Sequence, residues 1–76
     1  LDISENIISI IPKEIGYLTN LEKLNLSKNY ILNIPNEFYN LINLNCIDFG
    51  NNLINEISNE IKNIKNLEIL NLEYNN

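Results

Sequence analysis

Few side chains in this chain could carry out covalent chemistry. Cys46 is the one thiol, and the sequence contains no histidine to act as its base. Its neighbours Asn45 and Ile47 are neutral, so the sequence reads Cys46 as an inert thiol rather than an activated nucleophile. Carboxylates are more numerous, but they fall at alternating, solvated positions, and no nucleophile–base pair can be assembled from them without a histidine. A metal site would draw on His or clustered Cys, and neither exists. Gly16 and Gly50 are the two glycines, which excludes a glycine-rich phosphate loop. Asn25–Leu26–Ser27 fits the glycosylation sequon, but with 18 Asn and five Ser or Thr a chance match is expected. These residues argue against an enzyme and imply no cofactor and no metal. Hydrogen bonding and surface contact remain.

Charge and composition narrow the partners. The formal net charge is −5, with five lysines, no arginine and ten acids spread along the chain. Neutralising phosphates requires clustered cations, so neither nucleic acid nor an anionic membrane is an expected partner. No apolar run approaches the roughly 20 residues that span a bilayer, so no membrane insertion is expected. A single cysteine cannot form an internal disulfide, which is compatible with a reducing compartment such as the cytoplasm. There are 18 asparagines, 15 isoleucines and 12 leucines, with no Ala, Val, Met or Trp. Asparagine-rich chains can be disordered, but here the asparagines alternate in register with apolar residues, which favours a fold.

That register is internal. Shifting the sequence by 23 residues superimposes it on itself. Leu1, Leu24, Ile47 and Leu70 align, as do Ile3, Leu26, Phe49 and Leu72. Asn6, Asn29, Asn52 and Asn75 form an unbroken column. Ile8, Ile31 and Ile54 follow, then Ile11, Ile34 and Ile57, then Ile15, Phe38 and Ile61. Leu18, Leu41 and Ile64, and Leu21, Leu44 and Leu67, complete the apolar set.

Each unit divides into two elements. Around Leu24–Asn25–Leu26 the apolar residues alternate, the period-2 mark of a strand with one face inward. From Ile34 to Leu41 the spacing widens to I-x-x-x-F-x-x-L, which suits a short helical or 3-10 turn. Pro12 and Pro35 stand at the start of that segment, where a missing N–H costs least, and Ser58 stands there in the third copy as an N-cap. Glu14, Glu37 and Glu60 lie in the first turn, where a carboxylate complements the helix dipole. The column Asn6, Asn29, Asn52 and Asn75 reads as a structural ladder, its amides satisfying backbone groups where the chain turns over. A second column, Asn20, Asn43 and Asn66, precedes each strand and reads as a turn residue tolerant of left-handed backbone.

The pattern L-x-x-L-x-L-x-x-N-x-I-x-x-I-P-x-E-[IF]-x-x-L, carried by Leu21, Leu24, Leu26, Asn29, Ile31, Ile34 and Pro35, resembles the leucine-rich repeat family over the whole chain. The 23-residue length and the I-P motif look like the type in Ras-associated intracellular repeat proteins. The resemblance implies an α/β right-handed solenoid, with parallel strands on a concave face and short helical or 3-10 turns on a convex face. It implies one leucine-rich repeat segment over residues 1–76, about three repeats of a longer array, marginally stable alone or self-associating.

In that architecture the residues flanking the strand leucines face outward. They are Lys23, Cys46 and Ile69, then Asn25, Asp48 and Asn71, then Ser27 and Glu73, then Lys28, Asn51 and Tyr74, with Tyr30 beyond. These positions vary between copies while the core columns do not. The expectation is a non-catalytic module that binds a protein partner through this face, with Tyr30 and Tyr74 as anchors. The alternatives are a recognition array in a larger signalling enzyme, linked to a kinase or GTPase domain, and an extracellular receptor. A regular ligand such as ice or a crystalline polymer would want one identical outward column, typically threonine, and the sequence reading finds none.

Overall fold

Alternating apolar residues produce three short strands, β1 (Lys23–Asn25), β2 (Cys46–Asp48) and β3 (Ile69–Asn71), in a computed structural model that describes all 76 residues. They form one parallel sheet in the order β1-β2-β3. The pairing is Lys23 with Cys46 and Ile69, Leu24 with Ile47 and Leu70, and Asn25 with Asp48 and Asn71. Register and sequence period are therefore the same 23-residue step. Asp2 bridges to Asn25, so the first copy continues the sheet. The ladder also runs past the strands into the turn, where Lys28 N–H donates to the Gly50 carbonyl at 2.9 Å and Asn51 N–H to the Glu73 carbonyl at 2.9 Å.

Three 3-10 helices line the opposite side: η1 (Lys13–Tyr17), η2 (Asn36–Asn40) and η3 (Asn59–Asn63). Pro12, Pro35 and Ser58 cap them in extended backbone, with ψ near 150° in each. Ser58 Oγ accepts from the Glu60 N–H at 3.1 Å, the N-cap bond its position predicts. Glu14, Glu37 and Glu60 fall in the first turns. Returning to a parallel strand through such a connection gives the right-handed coil of a solenoid.

The core lies between sheet and 3-10 layer. Leu24, Ile31, Phe38, Leu41, Leu44, Ile47 and Phe49 are fully enclosed. Phe38 meets Phe49 with ring centroids 5.4 Å apart and Tyr39 edge-on at 5.5 Å. Tyr39 is buried although its column holds Gly16 and Lys62 in the other copies. Its hydroxyl accepts from the Ser58 N–H at 3.2 Å, tying η2 to the start of η3.

Gly16 is buried where η1 crosses η2, and a Cβ there would stand 2.7 Å from the Glu37 carbonyl oxygen. That obstacle is backbone and cannot rotate away. Gly16→Ala is therefore expected to push η1 off η2 at a cost of about 1–3 kcal/mol. Thermal unfolding followed by circular dichroism would show it as a loss of several degrees, at about 4–8 °C per kcal/mol for a chain of this size.

One sequence expectation is corrected. Asn20, Asn43 and Asn66 do not adopt left-handed backbone; the positive φ values, between 55° and 61°, belong to Glu5, Lys28, Asn51 and Tyr74. The physical reason lies in the two turns. Asn20, Asn43 and Asn66 sit in turns closed by Leu21 N–H to Leu18 O, Leu44 N–H to Leu41 O and Leu67 N–H to Ile64 O, which need only negative φ. The sharper reversal comes after the strand, one residue before the ladder asparagine, where the following side chain and the sheet ladder hold the backbone in place.

Candidate functional site

The site is built on a frame that the buried asparagines hold. Asn52 Oδ1 accepts from the Ile31 N–H at 3.0 Å. Its Nδ2 donates to the carbonyls of Leu26 (2.9 Å), Phe49 (3.0 Å) and Gly50 (3.3 Å). Asn29 repeats this with Ile8, Ile3, Leu26 and Ser27, and Asn75 with Ile54, Phe49, Leu72 and Glu73. Each amide thus ties its own turn to the previous repeat. Asn6 donates only within its own copy, to the Ile3 and Ser4 carbonyls.

A second, shallower frame lies on the outward side of the sheet. The Oδ1 atoms of Asp2, Asn25, Asp48 and Asn71 accept from the N–H two residues on, at Ser4, Ser27, Gly50 and Glu73, over 2.9–3.0 Å. These Asx turns shape the strand exit. In the first two copies a serine hydroxyl adds a second bond to the same oxygen, at 2.6 Å from Ser4 and 2.7 Å from Ser27. In the third, Gly50 has no hydroxyl and the Asn71 amide donates to Asp48 Oδ1 instead, at 3.2 Å. Ser4 hydroxyl and amide together hold the Asp2 carboxyl below the usual carboxylate range. The sequence reading missed this role for Asn25, Asp48 and Asn71. An Asp or Asn followed two residues later by Ser or Gly in three of the four copies, with Glu73 after Asn71 in the fourth, was the available signal.

Around these turns the remaining outward side chains are free for contact. Lys23 and Ile69 are exposed, with Cys46 half-buried between them in the paired register. Ser27 is half-buried, and Asn51, Glu73 and Tyr74 are exposed. Lys28 Nζ lies 3.9 Å from Glu5 in a mostly exposed pair, whose electrostatic contribution is small. Tyr30 stands just past the turn, 57% exposed, in a row with Ile7 at 85% and Leu53 at 43%. That row forms an apolar margin beside the sheet face. No group of three or more Cys, Asp or Glu is arranged to hold a metal ion, and no helix is long and apolar enough to cross a membrane.

Comparison with known proteins agrees with this geometry. The family described as leucine rich repeat matches residues 19–76. Among solved structures, a leucine-rich repeat protein of Leptospira interrogans superposes with a TM-score of 0.95 at 36% identity, over 99% of this chain and 19% of that one. An internalin of Listeria monocytogenes superposes with a TM-score of 0.81 at 30% identity, over 92% of this chain and 20% of that one. The chain therefore spans about a fifth of the length of either. No curated protein sequence matches it. These matches show the family without assigning a type within it. Strand register, asparagine pairing, convex 3-10 helices and both kinds of match agree: the chain belongs to the leucine-rich repeat family.

Proposed function

We propose that the chain is a non-catalytic protein-interaction module whose concave sheet face binds a protein partner. Proteins of this fold generally act as interaction modules. The observation that carries the reading is variation on a fixed frame. Lys23, Cys46 and Ile69 occupy one register position with three different chemistries, while Leu24, Ile47 and Leu70 beside them stay aliphatic. Asn51 and Tyr74 differ in the same way at a position whose backbone is the same in every copy. A standard interface uses about 20–30 residues a side, and stacked repeats present such an area on one continuous face. Tyr30 and Tyr74 are the expected anchors, being aromatic and exposed.

Tyr30→Ala combined with Lys28→Glu is the test. The Tyr30 backbone N–H bonds Ile8 O without help from the ring, and Glu5 already occupies the Lys28 backbone conformation in the first copy. Folding should therefore be unchanged by circular dichroism. Affinity capture from native lysate, followed by titration of the captured protein, should show binding weakened by about 2 kcal/mol, roughly thirtyfold. Equal binding by the double variant would remove the concave-face assignment.

A further inference from the structure

The column Asn20, Asn43 and Asn66 is conformationally ordinary, and the structure gives its side chains another setting. The three amides line a groove of about 790 Å³ along the edge of the sheet where the strands begin. Glu22, Asn45 and Glu68 form its second row, again one per repeat. Of these six side chains, one is used within the protein: Asn43 Nδ2 donates to the Thr19 carbonyl at 2.8 Å. Behind them the sheet ladder continues, with Asn45 N–H and Cys46 N–H on Glu22 O, and Glu68 N–H and Ile69 N–H on Asn45 O. What faces the groove is thus a double row of uncommitted amides and carboxylates on a rigid backing.

From this double row we propose a second binding site, for a linear neutral glycan laid across the repeats. The chemistry of the lining selects that class. Leu67 is the groove's one apolar residue, so a lipid or an apolar side chain finds no pocket. Glu22 and Glu68 against Lys65 leave a slight negative excess, which disfavours an anion. Amides that both donate and accept, beside carboxylates that accept, complement hydroxyls, which also do both. Spacing then separates a glycan from a peptide. The rows advance with the strands, about 4.8 Å apart, whereas an extended peptide repeats its same-side groups every two residues, about 6.7 Å. A peptide falls out of step after one repeat by roughly 2 Å. A β-1,4-linked pyranose chain turns successive rings over but carries polar groups on both edges of each ring, so every ring presents one to the groove at an advance near the strand spacing.

The experiment is isothermal titration of the full chain with cellohexaose, chitohexaose, xylohexaose and maltohexaose. At least one should bind saturably, and glucose should not. Asn66→Ala should weaken that hexasaccharide roughly five- to tenfold, the range for one or two net hydrogen bonds, while the melting temperature stays in place because Asn66 bonds nothing in the chain. Tyr30→Ala with Lys28→Glu should leave it unchanged, so this site and the concave face fail or succeed separately. Absence of saturable binding by all four sugars to millimolar concentration overturns the proposal. So does binding that survives Asn66→Ala, or an extended peptide that competes for the groove with dependence on Asn66. A fall in melting temperature for Asn66→Ala without sugar binding would instead assign the column to turn formation.

Discussion

Replacing Asn52 with alanine is expected to remove a large part of the stability of this chain. A domain of 76 residues has about 4–11 kcal/mol in total, at roughly 0.05–0.15 kcal/mol per residue. Asn52 is buried, and four backbone groups converge on its amide. Three of the four have other partners: the Leu26 carbonyl keeps Asn29, the Phe49 carbonyl keeps Asn75 and the Gly50 carbonyl keeps the Lys28 N–H. The Ile31 N–H keeps nothing. At about 1–3 kcal/mol for the stranded group and about 0.5 kcal/mol for each of the three bonds lost at carbonyls that keep a partner, the cost is roughly 2.5–4.5 kcal/mol. Asn6→Ala is the control, since Asn6 is exposed and the Ile3 carbonyl it touches also accepts from Asn29; its cost should stay below about 1 kcal/mol. Asn52→Asp sharpens the test. It keeps the acceptor but turns a carboxylate toward three carbonyl oxygens, so the folded state raises its pKa. A raised folded pKa gives stability that is present at low pH and lost as pH rises, so this variant should unfold more readily at neutral pH than near pH 4. Urea unfolding of the three variants, followed by circular dichroism, measures all of this. An Asn52→Ala variant as stable as Asn6→Ala would overturn the ladder as the main tie between repeats.

Which features were legible follows from where their physical cause sits. The 23-residue period could be read because side-chain spacing and strand register are one quantity in a solenoid; Leu24 lies over Ile47 because the sequence places it one period away. The asparagine column could be read because burying a turn demands an amide at one fixed place. The left-handed column could not. Glu5, Lys28 and Tyr74 have no intrinsic preference for that conformation, and it is imposed by the Asx turn before them and the amide ladder after them. Gly50 shows the same limit: the Asn71 amide fills the place of the missing hydroxyl on Asp48, an exchange between copies that no single repeat records.

The candidate surfaces divide likewise. The outward positions of the concave face follow from strand alternation, so Lys23, Cys46 and Ile69 could be placed before any coordinates. Part of their neighbourhood could not, because an Asp or Asn on a strand looks equally suited to a partner and to its own backbone. Asn25, Asp48 and Asn71 each commit one side-chain oxygen to the turn. The second groove arises from the converse error. Asparagine is common in turns for reasons of backbone preference, and that explanation concealed an identical column of side chains with little to do inside the fold.

Phe38→Ala is the second change expected to approach the limit of stability. Phe38 is completely enclosed, and it stands where the first and third copies have Ile15 and Ile61, both only partly buried. Phe49 is likewise the aromatic member of a column otherwise made of Ile3, Leu26 and Leu72. The two exceptions meet at 5.4 Å, so the extra volume of each fills space left by the other. Truncating Phe38 opens a cavity against Phe49 and removes the edge contact that positions Tyr39, at a cost of about 3–5 kcal/mol. Phe38→Ile restores the residue used by the other copies. If the column alone set the packing, that change would be nearly neutral. If the aromatic pair is the unit, it should still cost about 1–2 kcal/mol, because isoleucine cannot fill the gap beside Phe49. Near-ultraviolet circular dichroism adds a local readout, since the Tyr39 hydroxyl accepts from the Ser58 N–H and a displaced ring loses that bond. Loss of the tyrosine signal at temperatures where the far-ultraviolet spectrum stays native would place the first opening at the η2–η3 contact. Simultaneous loss of both signals would mean that the aromatic pair and the sheet unfold as one unit.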